Sequence, residues 1–91
     1  MERNEKLNYE KIKEVSDEIY EELELNKYII NSNEKENSLI AKNNFFEIIL
    51  KLYVSMKEDS NLSFSIQEIK FILDFEIYKY MKEIIERIQK I

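Results

Sequence analysis

Without a histidine or a cysteine in 91 residues, the side chains left to do chemistry are carboxylates, serines and lysines. Nucleophilic catalysis wants a Ser or Cys beside a base, and no serine here stands in such a setting. Structural and catalytic zinc sites draw mostly on His and Cys. Loops that cradle phosphate need glycine for close backbone approach, and the chain has none. Three carboxylate pairs survive this filter: Glu18-x-x-Glu21, Glu21-x-x-Glu24 and Glu83-x-x-Glu86. On a helix each sets two acids one turn apart, the spacing a magnesium ion would use. All-α nucleotide pyrophosphatases pair an E-x-x-E on one helix with an E-x-x-D on the next. The E-x-x-D here, Glu14-x-x-Asp17, lies ahead of the E-x-x-E on the same helix, so that arrangement is not met. With sixteen glutamates, solvated surface accounts for such spacings. The chain is expected to be no enzyme and to use no cofactor or metal.

Those acids must be held by elements, and the elements read as helices. Gly and Pro are both absent, so turns fall to Asn, Ser and Asp. Such residues gather at Asn26–Asn37 and at Asp59-Ser60-Asn61 and divide the chain into three segments. No internal repeat is evident. In the first segment, about 8–25, Ile12, Val15, Ile19 and Leu23 form an apolar stripe at helical spacing. A break is expected between Leu25 and Asn33. The second segment, about 34–58, is apolar around most of its circumference, with a polar strip of Asn44, Glu47, Lys51, Ser55 and Glu58. It is expected to be the central helix, with Glu47 and Lys51 paired at i,i+4. In the third segment Ser65-Ile66-Gln67-Glu68 has the form of a capping box. Ile66, Ile69, Leu73, Ile77, Tyr80, Ile84, Ile88 and Ile91 then repeat at helical spacing to the last residue.

The fold class expected is an all-α bundle of three to four helices, one domain over residues 1–91. The alternative is an α+β fold with a hairpin within about 46–66, because Phe46 to Met56 and Leu62 to Ile66 also alternate. Thirty Ile, Leu, Val and Phe residues suffice for a core. The longest apolar run is three residues, so no membrane span is expected, and the charged start shows no signal peptide. A cytoplasmic protein follows. The surplus of Ile, Lys, Glu and Asn resembles the bias of AT-rich genomes, such as low-GC bacteria and their phages.

Two surfaces stand out. Residues 1–36 hold eleven acids and six bases and residues 37–91 eight of each, so the net charge of −5 lies wholly in the first part. There Glu10, Glu14, Asp17, Glu21 and Glu24 form a stripe opposite the apolar one, suited to steering a partner with a basic surface. In the third segment Phe71, Phe75 and Tyr78 point away from the isoleucine stripe, as aromatic anchors for a protein partner or a second copy would. The function expected is non-enzymatic protein–protein binding of regulator or inhibitor type: an antitoxin, an immunity factor or a phage-borne inhibitor of host defence. Nucleic acid is not an expected partner, since the lysines are dispersed among acids and the pI is near 4.9.

The alternative function is DNA binding or transcriptional regulation through the capped helix 65–91. Leu62 to Leu73, LSFSIQEIKFIL, resembles the run that opens a helix after the wing in MerR-type regulators. The resemblance spans a dozen residues, lacks the family's glycine, and has no helix–turn–helix or wing ahead of it. It implies a capped amphipathic helix.

Overall fold

A computed structural model describes residues 2–29, 34–59 and 61–91, with side chains placed from Tyr9 and Asn37 onward in the first two stretches. The turn centres expected at Asn31–Asn33 and Ser60 lie outside the described residues. The described residues form four α-helices in order: α1 (Glu2–Glu22), α2 (Glu34–Glu58), α3 (Ile66–Asp74) and α4 (Met81–Gln89). A 3-10 turn follows α1 at Leu25–Tyr28, and another joins α3 to α4 at Ile77–Tyr80. No strand occurs among the described residues. The hairpin alternative is thereby replaced by a helix through Glu58 and a stretch without regular structure from Asn61 to Ser65.

The core forms where the apolar stripes meet. α2 packs against α1, α3 and α4, and α1 also meets α4. Ile12, Val15 and Ile19 of α1 are buried as their spacing requires, and α2 contributes Ala41, Phe45, Phe46, Ile48, Ile49 and Leu52. Each fully buried side chain of this size contributes about 1.5–3 kcal/mol. The rings interlock edge to face: Tyr20 meets Phe45 at 6.0 Å and Tyr9 meets Phe46 at 5.3 Å between centroids. Among the described residues, one polar side chain shares this interior. Ser16 is fully buried and its Oγ has no hydrogen-bond partner.

α2 keeps the polar strip outward at Asn44, Glu47 and Glu58. Lys51 does not pair with Glu47. It turns to Glu68 at 2.7 Å and to the Ser63 carbonyl at 3.2 Å, tying α2 to the start of α3.

The capping box at α3 is complete. Ser65 Oγ accepts from the Glu68 N–H at 3.1 Å, and Glu68 Oε1 accepts from the Ser65 N–H at 2.8 Å. The helix it starts does not run to residue 91. It ends at Asp74, because Glu76 takes the left-handed conformation (φ 53°, ψ 36°). Glu24 does the same at the end of α1 (φ 54°, ψ 46°), placing the break slightly ahead of Leu25. These are the glycine positions of ordinary helix ends, and a non-glycine residue there costs about 1–2 kcal/mol.

The two breaks repeat one another. Leu23-Glu24-Leu25-Asn26-Lys27-Tyr28 and Phe75-Glu76-Ile77-Tyr78-Lys79-Tyr80 share the pattern Glu, aliphatic, any residue, Lys, Tyr. The backbone bonds correspond as well. Leu23 N–H donates to Ile19 O, Glu24 to Glu21 O and Lys27 to Glu24 O; Phe75 donates to Phe71 O, Glu76 to Leu73 O and Lys79 to Glu76 O. The aliphatic residue after each left-handed glutamate, Leu25 or Ile77, is fully buried. A short internal repeat therefore exists where the sequence was expected to hold none.

Candidate interaction surface

The break at Glu76 decides which face of α3 meets the core. A continuous helix would bury Ile66, Ile69 and Leu73 in line with Ile77, Ile84 and Ile88. The last three are buried, but Ile66, Ile69 and Leu73 are 85%, 47% and 59% exposed. α3 instead turns its aromatic side inward. Phe71 is only 6% exposed, and Phe75 is half-buried and stacked on it at 4.2 Å between centroids. Tyr28 closes over Phe75 at 5.9 Å. Phenylalanine has more apolar area to remove from water than the aliphatic residues opposite, so the aromatic face is favoured for the interior.

The three aromatics expected as anchors therefore do not share a surface. Phe71 and Phe75 belong to the packed side and, with Tyr28, Ile40, Asn44 and Asp74, line an open groove of about 440 Å³. Tyr78, beyond the break, is 54% exposed. The outward ridge consists of Ile66, Ile69 and Leu73, at spacings of three and four. Sequence reasoning assigned these to the core because their phase matches Ile77 and Ile84. The signal that separates them is the repeated Glu-aliphatic-x-Lys-Tyr motif, which marks the helix stop.

The ridge is held in place from both ends. At its start, Lys51 and the Ser65 N–H both bind Glu68 Oε1. Partial burial would raise the Glu68 carboxyl's pKa, but the Lys51 and Ser65 hydrogen bonds outweigh it and hold it below the usual range. At its end, Tyr28 donates to Glu76 Oε1 at 2.8 Å, and its hydroxyl lies 3.2 Å from that of Tyr80. Lys79 also binds Glu76 Oε1, at 3.0 Å. Lys79 and Tyr28 together lower the Glu76 carboxyl's pKa. The Tyr80 and Glu76 hydrogen bonds push the Tyr28 phenol well above its ordinary value.

The acidic stripe of α1 is mostly engaged. Glu21 holds Lys42 of α2 at 2.7 Å, and that bond raises the Lys42 ammonium's pKa. Glu14 lies 3.8 Å from Lys11 and Asp17 3.7 Å from Lys13. Beside the stripe, Glu22 and Glu18 accept from Arg87 of α4 at 2.6 and 3.3 Å. Of the five stripe acids, Glu10 and Glu24 lack an ion pair among the described residues. Of the stripe itself, only Glu21 pairs outside α1 among the described residues; with Glu18 and Glu22 beside it, it clasps α1 to α2 and α4, each exposed pair adding about 0.2–1 kcal/mol.

Among the described residues, no group of three or more acids converges as a metal site would require, and no helix is long and apolar enough to cross a membrane. No known protein family, curated protein or solved structure matches the chain.

Proposed function

We propose that this chain is a non-catalytic protein-binding module that works as a regulator or inhibitor by covering a partner's surface with the outer face of α3. The observation that carries the reading is the exposure of Ile66, Ile69 and Leu73 on a helix capped at its start and braced at its end. Contiguous exposed aliphatic residues are costly on a free surface and mark sites of association. Rigid presentation lowers the ordering cost of binding. The face offers one cation, Lys70, beside three aliphatic residues, which favours an apolar protein surface over a phosphate backbone.

The test is affinity capture from the native host with wild-type bait and with an Ile66→Asp/Leu73→Asp bait, followed by reconstitution of each captured protein from purified components. A partner bound by the wild type and at least tenfold more weakly by the variant supports the reading. Equal binding by both baits removes α3 as the binding face.

A further inference from the structure

The groove between α2 and α3 is a second surface, on the side of α3 turned away from the exposed ridge. Asn37, Ile40 and Asn44 recur at spacings of three and four along α2 and form one wall. Phe71, Asp74 and Phe75 form the other, and Tyr28 also lines the space. At about 440 Å³ it has the size of pockets that take small ligands or single side chains. Asp74 is the one charged residue among those lining it. The side chains of Asn37, Asn44 and Asp74 make no hydrogen bond or ion pair among the described residues. Asp74 is also the last residue of α3, at the negative end of the helix dipole, and the last turn carries no base. Carboxylate and dipole thus make this end of the groove attractive to a cation, beside aromatic rings that also favour one. Lys27 already lies over the Tyr28 ring at 5.4 Å, but among the described residues no lysine lies over Phe71 or Phe75.

We infer that this groove receives an arginine side chain presented by a protein partner. The methylene stem lies along Ile40 and the aromatic wall, and the guanidinium donates to Asp74. The amide oxygens of Asn37 and Asn44 are further acceptors on the opposite wall. A planar fork of five donors suits acceptors spread over two helices, and a guanidinium is more weakly hydrated than an ammonium. Lysine offers only a compact, strongly hydrated point charge. The groove is open, so the backbone that carries the arginine stays outside it, and the exposed Ile40 on the rim offers apolar contact to the flanking residues. That favours a polypeptide over a free amino acid. The inference does not rest on the outer face of α3.

NMR titration of the full chain with a short peptide holding one arginine between two leucines tests this. Saturable binding is expected, with shifts at Asn37, Asn44 and Asp74. A citrulline peptide, which keeps the shape without the charge, is expected to bind about tenfold more weakly, and a lysine peptide more weakly than the arginine one. Asp74→Asn is expected to weaken the arginine peptide about tenfold. Glu10→Gln, which removes the same charge elsewhere, and Ile66→Asp, on the ridge, are expected to bind it as the wild type does. Asn44→Lys, which brings a cation of the chain's own to the groove, is the second blocking variant, and circular dichroism checks that each variant folds. Absence of saturable binding overturns the inference, as does equal binding of the citrulline peptide. A loss in Glu10→Gln matching that in Asp74→Asn overturns it too, since general charge attraction then accounts for the binding. A loss confined to Ile66→Asp overturns the groove as the site. A lysine peptide bound as tightly overturns the choice of arginine, and free arginine amide bound as tightly overturns the protein source.

Discussion

The hydroxyls of Tyr28 and Tyr80 stand 3.2 Å apart, joining two points separated by 52 residues. Each tyrosine closes one copy of the repeated helix stop, so the two stops are fastened to each other. Tyr28 carries more of the junction because it also donates to Glu76. Tyr28→Phe is expected to lower stability, and by more than Tyr80→Phe, measured by urea denaturation. Alkali acts on the same bond. Tyr28 has a raised pKa in the folded state, so unfolded chains lose its proton first. Its contribution is complete below the unfolded value near 10 and falls as pH rises through the folded one. Tyr28→Phe is expected to flatten that alkaline decline.

Glu24 and Glu76 share a left-handed backbone but differ in what their side chains do. Glu24 forms no capping bond and no ion pair among the described residues, whereas Glu76 holds Tyr28 and Lys79. Glu24→Gly relieves the strain while adding some unfolded-state freedom, and is expected to stabilise the protein by about 0.5–1 kcal/mol. Glu76→Gly forfeits both hydrogen bonds and is expected to destabilise it. Thermal melts of the two variants should move in opposite directions.

The two sides of α3 predict opposite sensitivities. Phe71→Ala leaves a cavity beneath Phe75 and is expected to cost about 3–5 kcal/mol, enough to unfold much of a small domain. Phe75→Ala should cost less, about 2 kcal/mol, because the ring is only half-buried. Ile66→Ala should change stability by no more than about 0.5 kcal/mol. Guanidinium titrations of the three variants rank them directly, and an Ile66→Ala loss matching Phe71→Ala would refute the assignment of faces.

Acid should loosen both ends of α3. The Glu68 and Glu76 carboxyls have folded pKa values below their ordinary ones. As pH falls, the unfolded chain takes up these protons first. Stability is therefore fully held above the ordinary glutamate value of about 4.3 and lost as pH drops through the folded values. Glu68→Gln is expected to lower stability at neutral pH and to make it less pH-dependent below that range. Stability measured from pH 7 down to pH 2 checks both statements.

Ser16 offers a test of the interior. Its buried hydroxyl makes no hydrogen bond, so Ser16→Ala removes a desolvation cost without removing a partner. The variant is expected to be neutral or more stable by up to about 1 kcal/mol.

Much of this architecture was legible in the side-chain pattern. The stripe of Ile12, Val15 and Ile19, the bounds of α2 and the Ser65–Glu68 box follow from spacing and local hydrogen bonding, which depend on neighbours in sequence. The interaction surface was not legible, for a physical reason. Ile66 and Ile84 have the same helical phase, and only a change of direction between them sets one outside and the other inside. That change is a single residue's φ at Glu76; glutamate carries no conformational preference that announces it, and only the recurrence of the Glu-aliphatic-x-Lys-Tyr pattern marks the place. The long-range pairs were equally hidden. Lys51 has glutamates at both Glu47 and Glu68 within reach, and tertiary packing, not the i,i+4 rule, chose between them.

The helix stops built on Glu24, Asp59 and Glu76 have a kinetic side as well. A chain that turns without proline has no X–Pro bond to isomerise, and without cysteine it has no disulfide to reshuffle. Refolding should therefore lack the phases of tens of seconds that such steps impose. Having no glycine also narrows the unfolded ensemble, so each residue has less freedom to surrender on folding. The strain held at three backbone positions is thus set against an entropy saving spread over the whole chain.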